Sequence, residues 1–486
     1  MRVRQASATI LWLLLGAMTW GQAAFEPELR LRAVTLLRKG MASDEFWPSM
    51  HAAEALTAAG FGACVIYDLK PRLAVETDDQ KRCGLSREIM RAGDLSPLPG
   101  MVKILTDPDT SAPVHVCESL FKVHQVGDLA AMRAHLASET TSEELMAAAA
   151  LARSGQTAEL KRVRERLLAP NDETTRRIAA WILGQIGTRD DWPAIQQLAE
   201  SAEDPLASSF AWNALAKLGH EQARERVFAN LASEDKTIRT YSAQTLGVCG
   251  GGAELAALAS ALGDTNPDTA IRAAEAIVRI TGRMLDQDTD GDSIPDCVEA
   301  LLGTPSDDAE VLTRYYEAAP KGPGAADPEA LPGEIVGAWF GHVGGDRYVW
   351  VYEFGTALSE QNTVFHAYAR LDEDDKTGRQ GAEFAQGVDV MYSFKDARSD
   401  PRVFAESLRR NPGAPIRALV AGSRAYVCDD VTVTQKDGNA EIRVHLLSER
   451  YPNARTEKKV GKGTPLTTVS APLRPGRALP ALSRKR

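Results

Sequence analysis

The sequence predicts a multidomain α plus β protein: an N-terminal α-solenoid of about eight helical hairpins, a calcium loop, and a C-terminal antiparallel β-sandwich. Three observations carry this. Glycines 60, 93, 127, 155, 187, 219, 250 and 282 close successive apolar helical segments at spacings of 33, 34, 28, 32, 32, 31 and 32 residues. A period in that range marks stacked hairpins, none of which can bury its apolar face alone. Beyond residue 333 the apolar period changes from helical to two, and between the two regimes lies an acidic run without a basic side chain.

The chain, 486 residues with 44% hydrophobic and 25% charged side chains, is too long for one core and ordinary in composition. Its first 24 residues place Arg2 and Arg4 before an apolar run and end in Gly21, Ala23 and Ala24, the order of a secretory signal peptide. No later window is long and apolar enough to span a bilayer, so the mature chain is expected outside the cytoplasm, periplasmic or extracellular. None of the six cysteines has metal-ligand spacing, and Cys64 with Cys83 is the candidate disulfide in an oxidising compartment.

The solenoid is expected over residues 25–283. Its first helix, 27–43, reads as a cap, with Leu29, Ala33, Leu36 and Leu37 on one face and Arg30, Arg32 and Arg38 on the other. Each landmark glycine suits a helix end, where the left-handed conformation costs little without a Cβ. The clearest copies are "DETTRRIAAWILGQIG", "DPLASSFAWNALAKLG", "DKTIRTYSAQTLGVCG" and "NPDTAIRAAEAIVRITG". Each opens on an Asp or Asn that can cap, or on Pro in the first turn, and places Ala or Ser where helices approach closely. His51, His115, His124 and His135 belong to different repeats and read as structural. Trp47, Trp181, Trp192 and Trp212 read as core or groove wall, with a ligand-facing shelf as the alternative.

These repeats resemble the HEAT superfamily, in particular the bacterial type named after phycobilisome lyases, with the best matches at 179–187, 211–219 and 273–282. The resemblance implies a protein or peptide partner on the concave face. It implies bilin attachment in a minority of members, which export disfavours.

Residues 284–312 hold nine carboxylates between 286 and 310, which accounts for most of the net charge of −10. Asp286, Asp288, Asp290, Asp292 and Asp296 alternate along a loop that Gly291 can turn sharply, a cage suited to a hard cation of calcium's size. Against an EF-hand loop begun at Asp286 the match holds at places 1, 3, 5 and 6 and fails at place 12, which is Cys297. The run "DTDGDSIPD" with "GTPSDD" instead resembles thrombospondin type 3 repeats. By that resemblance the five aspartates are calcium ligands, with Glu299 a weaker addition, and the ion clamps two domains together.

Residues 313–332 read as a Pro/Gly/Ala linker. In the β-sandwich domain, 333–450, seven strands are expected at 335–342, 348–354, 362–371, 388–394, 416–422, 425–434 and 441–449, with hairpins at 343–347 and 435–440. Tyr348, Trp350, Tyr352 and Phe354 share one strand face, either core or a platform for sugar rings. Trp339, His342, His366, Tyr368, Arg370, Asp372 and Arg379 are candidate pocket residues without diagnostic spacing. The tail, 451–486, is basic and Pro-rich and reads as disordered.

No nucleophile elbow, zinc-protease helix or phosphate loop is present, and no basic stripe interleaved with aromatics, which disfavours nucleic acid. The expected function is an exported non-catalytic scaffold: a protein partner on the solenoid, calcium at the junction, and a second ligand, with a glycan as candidate, on the sandwich. The alternatives are a polysaccharide-active enzyme with its site in the β region and a structural envelope spacer.

Overall fold

The computed structural model describes residues 26–169, 172–307, 312–317, 335–345, 347–354, 363–371, 374, 376, 388–395, 398–403, 417–421, 424–430, 433–450, 460–463 and 467–473. The expected signal peptide lies outside the described residues. Among those residues no helix is long and apolar enough to cross a membrane.

Seventeen α-helices form the first part. They are α1 (Pro27–Met41), α2 (Phe46–Ala58), α3 (Gly62–Val75), α4 (Asp79–Arg91), α5 (Leu98–Thr106), α6 (Pro113–Lys122), α7 (Leu129–Ala134), α8 (Thr141–Arg153) and α9 (Leu160–Leu167). They continue as α10 (Glu173–Ile186), α11 (Trp192–Ser201), α12 (Pro205–Lys217), α13 (Glu221–Ala229), α14 (Lys236–Cys249), α15 (Leu255–Ala261), α16 (Pro267–Leu285) and α17 (Asp296–Leu302). Asp172, Asp204 and Asp235 cap their helices as expected, as do Asp78 and Asp128, each accepting from a backbone N–H of the first turn; Asn266 makes no such bond, and Pro267 opens its helix instead. Alanines such as Ala147–Ala150 and Ala179–Ala180 are fully buried, and they let neighbouring helices approach closely.

Gly60, Gly93, Gly127, Gly155 and Gly219 have φ between 68° and 105°, as expected of helix ends. Gly187 and Gly250 are extended instead, and there a Cβ would come within 2.5 Å of the carbonyl oxygens of Leu183 and Leu246. Gly282 lies inside α16, which runs one further turn.

The even-numbered helices from α2 to α16 pack side by side as an inner layer, and each odd-numbered helix from α1 to α15 backs the one that follows it. The first helix is not a cap. Both α1 and α2 pack against α16, so the eight hairpins close into a ring rather than an open rod. Arg30 Nη1, expected on an outer face, donates to Val278 O at 2.8 Å and Thr281 Oγ1 at 2.7 Å across that seam. Glu54 of α2 takes Arg272 of α16 at 2.9 Å and Arg91 of α4 at 3.2 Å, while Arg272 and Arg279 both bond Glu275. Burial works to raise the Glu54 carboxyl; Arg91 and Arg272 outweigh it and hold it well below the ordinary range.

The second part is built from β1 (Thr313–Glu317), β2 (Ile335–Gly344), β3 (Arg347–Phe354), β4 (Thr363–Arg370), β5 (Val390–Lys395), β6 (Arg398–Val403), β7 (Arg417–Ala421), β8 (Arg424–Asp430), β9 (Thr434–Lys436), β10 (Asn439–Arg450), β11 (Val460–Gly463) and β12 (Thr467–Pro472). One antiparallel sheet has the order β1-β2-β3-β8-β7; the other runs β11-β10-β4-β5-β6, with β9 and β12 also on β10. Tyr348, Trp350, Tyr352 and Phe354 point between the sheets, against Ala367, Tyr392, Ile442 and Val444, so the aromatic stripe is core.

Four expectations change. The run 425–434 is two strands on different sheets, β8 and β9, and the turn at Asp437 and Gly438 joins β9 to β10. The linker contains β1, whose Tyr315 and Tyr316 pack on the sandwich core. The tail contains β11 and β12; the alternation Val469, Ala471 puts both in the core, a period hidden by the surrounding Pro and Lys. No disulfide joins Cys64 to Cys83, because Cys83 is in the apolar core of the ring while Cys64 lines an outer pocket with Arg38 and Phe61.

Closure of the ring is testable through Glu54. Glu54→Ala leaves buried arginine charge uncompensated and is expected to cost about 3–5 kcal/mol in urea denaturation. Hydrogen exchange should speed up in α1, α2 and α16 together. Deprotection confined to residues 46–58 would contradict the closed ring.

Candidate functional site

Two places gather chemistry. The first is the interior of the ring, a cavity of about 590 Å³ lined from α2, α6, α8, α10, α12, α14 and α16. Helical spacing turns residues three or four apart onto this face: Thr174, Arg177 and Trp181 on α10, Leu206 and Phe210 on α12, Thr237, Tyr241 and Gln244 on α14. Phe210 and Tyr241 have ring centroids 4.6 Å apart, and Lys122 Nζ lies 5.3 Å from the Trp181 ring centroid. A smaller cavity shares Trp181, Phe210 and Tyr241 with the first and adds Asn213, Lys217 and Thr245.

Of the histidines at 51, 115, 124 and 135, His51 faces this interior. Its Nδ1 is 2.8 Å from Asp268 Oδ1, across the seam between α2 and α16. An ionised carboxylate only accepts, which assigns the proton to Nδ1. Burial, then Arg272, lowers the tendency of His51 to take a second proton against the pull of Asp268. His115 stacks on Trp47, His135 bridges Glu143 and the Leu105 carbonyl, and His124 is exposed. Trp181 is the tryptophan that lines the interior, whereas Trp47, Trp192 and Trp212 pack against the ring core. The interior was not legible from spacing, because the pairing of His51 with Asp268 spans 217 residues.

The second place is the acidic junction. Asp288, Asp290 and Asp292 each bring a carboxylate oxygen within 4.8 Å of the others. Asp288 also accepts from Gly291 N and Ser293 N, and Asp292 accepts from Ile294 N, which fixes the loop. Two of the expected ligands stand apart from this trio: both Asp296 oxygens hold Thr289, at 2.7 Å each, and Asp286 ends α16, where its charge acts on Arg30. Glu299 is fully buried in α17, and neither carboxylate oxygen has a hydrogen-bond partner. Burial, then the charges of Asp290, Asp292, Asp296 and Asp288, pushes its carboxyl up to about 8.

An EF-hand count can also be begun at Asp288 instead of Asp286. Counted from Asp288, the third, fifth and ninth places are Asp290, Asp292 and Asp296, the sixth is Ser293 and the twelfth is Glu299; Gly291 and Ser293 are both left-handed, at φ 76° and 77°. An orphaned buried carboxylate beside three convergent ones is a donor set of hard oxygens, and it fits a divalent cation such as calcium.

Among the described candidate β residues, Trp339, His342, His366, Tyr368 and Arg370, the structure brings no such set together. Trp339 packs at the junction under Arg314, and His342 is buried against Gly345 O on the first sheet. His366, Tyr368 and Arg370 lie on β4 of the other sheet. Asp372 and Arg379 lie outside the described residues.

The ring of paired helices defines an α-helical repeat protein, here joined to a β-sandwich. Within it, residues 160–247 match the family model described as HEAT repeats, and that segment is of the HEAT type. No curated protein matches the chain. Among solved structures, the complex of CpcE and CpcF of phycocyanin lyase from Nostoc sp. PCC7120 is similar at 17% identity, over 52% of this chain and 94% of that one, with a TM-score of 0.22. An engineered protein is similar at 16% identity over 51% and 98%, TM-score 0.17. Alkylpurine DNA glycosylase AlkC of Pseudomonas fluorescens, bound to DNA containing an abasic site analog, is similar at 10% over 92% and 98%, TM-score 0.20.

Lys217 offers a check on the electrostatics of the interior. Burial first, then Arg272, lowers its ammonium from 10.5 to about 8, with Glu275, Cys249 and Glu54 opposing. The unfolded chain therefore holds the extra proton between those two values, and the contribution of Lys217 to stability rises with pH across that window. Relative to Lys217→Met, the native protein should gain stability from pH 8 to 10.5 in denaturant titrations. A constant difference would place the amine in solvent.

Proposed function

We propose that this chain is an exported, non-catalytic binding protein whose helical ring holds a segment of a protein partner and whose calcium loop fastens the ring to the β-sandwich. One observation supports the reading above the rest. The space between the helix layers is filled by Ala, Leu and Ile, whereas the ring interior presents aromatic, charged and amide side chains around an open cavity. An interior that served packing alone would be apolar and filled. HEAT repeats over 160–247 agree with a protein partner, and the basic, apolar, small-residue order of the first 24 residues supports export. The aromatic stripe of β3 is inside the sandwich, so no glycan site is proposed there.

At the junction, Asp288, Asp290, Asp292 and Glu299 would hold calcium, which supplies the positive charge their convergence calls for. Its structural role follows from what α17 touches: Ile294, Val298 and Leu302 pack on Val349, Val351, Tyr426 and Cys428 of the first sheet. Ordering the loop therefore seats α17 on the sandwich.

Two measurements test this. Calcium at 100 times its dissociation constant should stabilise the protein by about 2.7 kcal/mol. Glu299→Gln should abolish that gain while leaving the calcium-free protein as stable or more so, and a calcium-independent melting curve for the native protein would remove the clamp. For the ring, a photo-crosslinking amino acid at Phe210 should capture a polypeptide in the source cells, and one at the outer residue Lys161 should not. Equal capture at both positions would argue against the interior.

A further inference from the structure

The charges gathered inside the ring do not balance. Arg87, Arg91, Lys122, Lys217, Arg272 and Arg279 stand around the carboxylates of Glu54, Glu88, Glu118 and Glu275. The surplus shows in Glu118: burial works to raise its carboxyl, and Lys122, then Arg87, outweigh it and hold it at about 2. Lys122 and Arg272 bring this positive surplus to the large chamber, because both line it.

The chamber adds two more cations from the N-terminal halves of α10 and α14, Arg177 and Lys236. Asp204, paired with Arg177, stands 3.7 Å away and already caps α12, and Lys236 makes no ion pair among the described residues. The carboxylates that line the chamber, Glu118 and Asp268, are engaged by Lys122 at 2.6 Å and His51 at 2.8 Å. The charges of Arg272, Glu118, Asp268 and Arg177 all act on the Tyr241 hydroxyl, so they look into one space. Depth and polarity then narrow the kind of anion. From Thr174 to Trp181 on α10, and from Thr237 to Gln244 on α14, the lining descends about 10 Å, the length of about three residues of extended chain. The volume of about 590 Å³ is that of a site enclosing an organic ligand. Within it, Gln244 Oε1 is buried without a hydrogen-bond partner. A peptide group both donates and accepts, so it satisfies that amide whichever way the amide is turned. A bare inorganic anion would leave it, and the faces of Trp181, Phe210 and Tyr241, without a partner.

We propose that the large chamber takes a short acidic stretch of a polypeptide, its carboxylate in the field of Arg177, Lys236, Lys122 and Arg272, and its backbone at Gln244 among Trp181, Phe210 and Tyr241. This rests on the reading of the ring as a holder of polypeptide and adds the charge that the polypeptide carries. The aromatic faces favour a tyrosine or aliphatic residue beside the acidic one.

The test uses the full chain and fluorescence anisotropy with a labelled six-residue peptide of alternating glutamate and tyrosine, its glutamine–tyrosine counterpart, and unlabelled 3-phenylpropionate as competitor. At low salt the glutamate peptide should bind about ten-fold more tightly than the glutamine peptide, and added salt should shrink that preference. Arg177→Gln and Lys236→Gln should each lower the preference about three-fold, and the double variant should remove most of it. Lys161→Gln, on the outer surface of α9, should leave it unchanged, and unaltered thermal melts would establish that the variants fold. Phe210→Ala should weaken both peptides alike, which places them in the chamber. Equal binding of the two peptides, still weakened by Phe210→Ala, would overturn the acidic preference and leave the polypeptide reading standing. A glutamate preference that survives the double variant would put the acidic peptide elsewhere and overturn the proposal. Binding of neither peptide would also overturn it, with crosslinking at Phe210 deciding the wider reading. Displacement of the glutamate peptide by 3-phenylpropionate at equal concentration would assign the chamber to a free organic acid, and the polypeptide source would fall.

Discussion

The contact between α2 and α16 decides what kind of object the helical repeats make. Hairpins that stack only on their neighbours leave two ends and an open groove, and each end needs a polar covering. Here Glu54, Arg91, Arg272, Glu275 and Arg279 tie the second helix of the chain to its sixteenth, with His51 and Asp268 beside them. A buried network of this kind is weak evidence for stability, but removing one partner leaves buried charge behind, so its members depend on one another. The groove becomes a chamber, and side chains from seven helices face one another across it.

The same helix carries the chain out of the ring. From the end of α16, Met284 and Leu285 join the cluster in which α17 lies on the first sheet, and Cys297 donates to the Met284 carbonyl. Arg424 reaches Ser293 O and Arg347 reaches Gly303 O from the sheet side. The first sheet is thus covered on both faces, by the second sheet and by the junction. That explains the composition of β3, where valines alternate with aromatics instead of with polar residues.

What was legible in the sequence was whatever repeats locally. The glycine period set the eight hairpins, and the aspartate caps set their starts, because both depend on residues a few positions apart. Arg30 and Glu54 gave no sign of their partners on α16, which lie more than 200 residues away; outward-facing charge on a first helix is what a cap also shows. In the β region, Thr467–Pro472 alternates correctly for a strand, but its neighbours are Pro and Lys, and composition over a long window outweighed a short period. In the acidic loop the convergence of Asp288, Asp290 and Asp292 was legible from their alternation, whereas the burial of Glu299 was not, because it depends on how the following helix packs.

Closure also constrains how such a molecule can change. In an open stack, a hairpin can be duplicated or deleted and the neighbours simply shift along. In this ring the eight hairpins must together bring the chain back to its start, so an added copy would force the others to splay less, and a lost one would force them to bend more. Changing the copy number would therefore mean breaking the seam or rebuilding it.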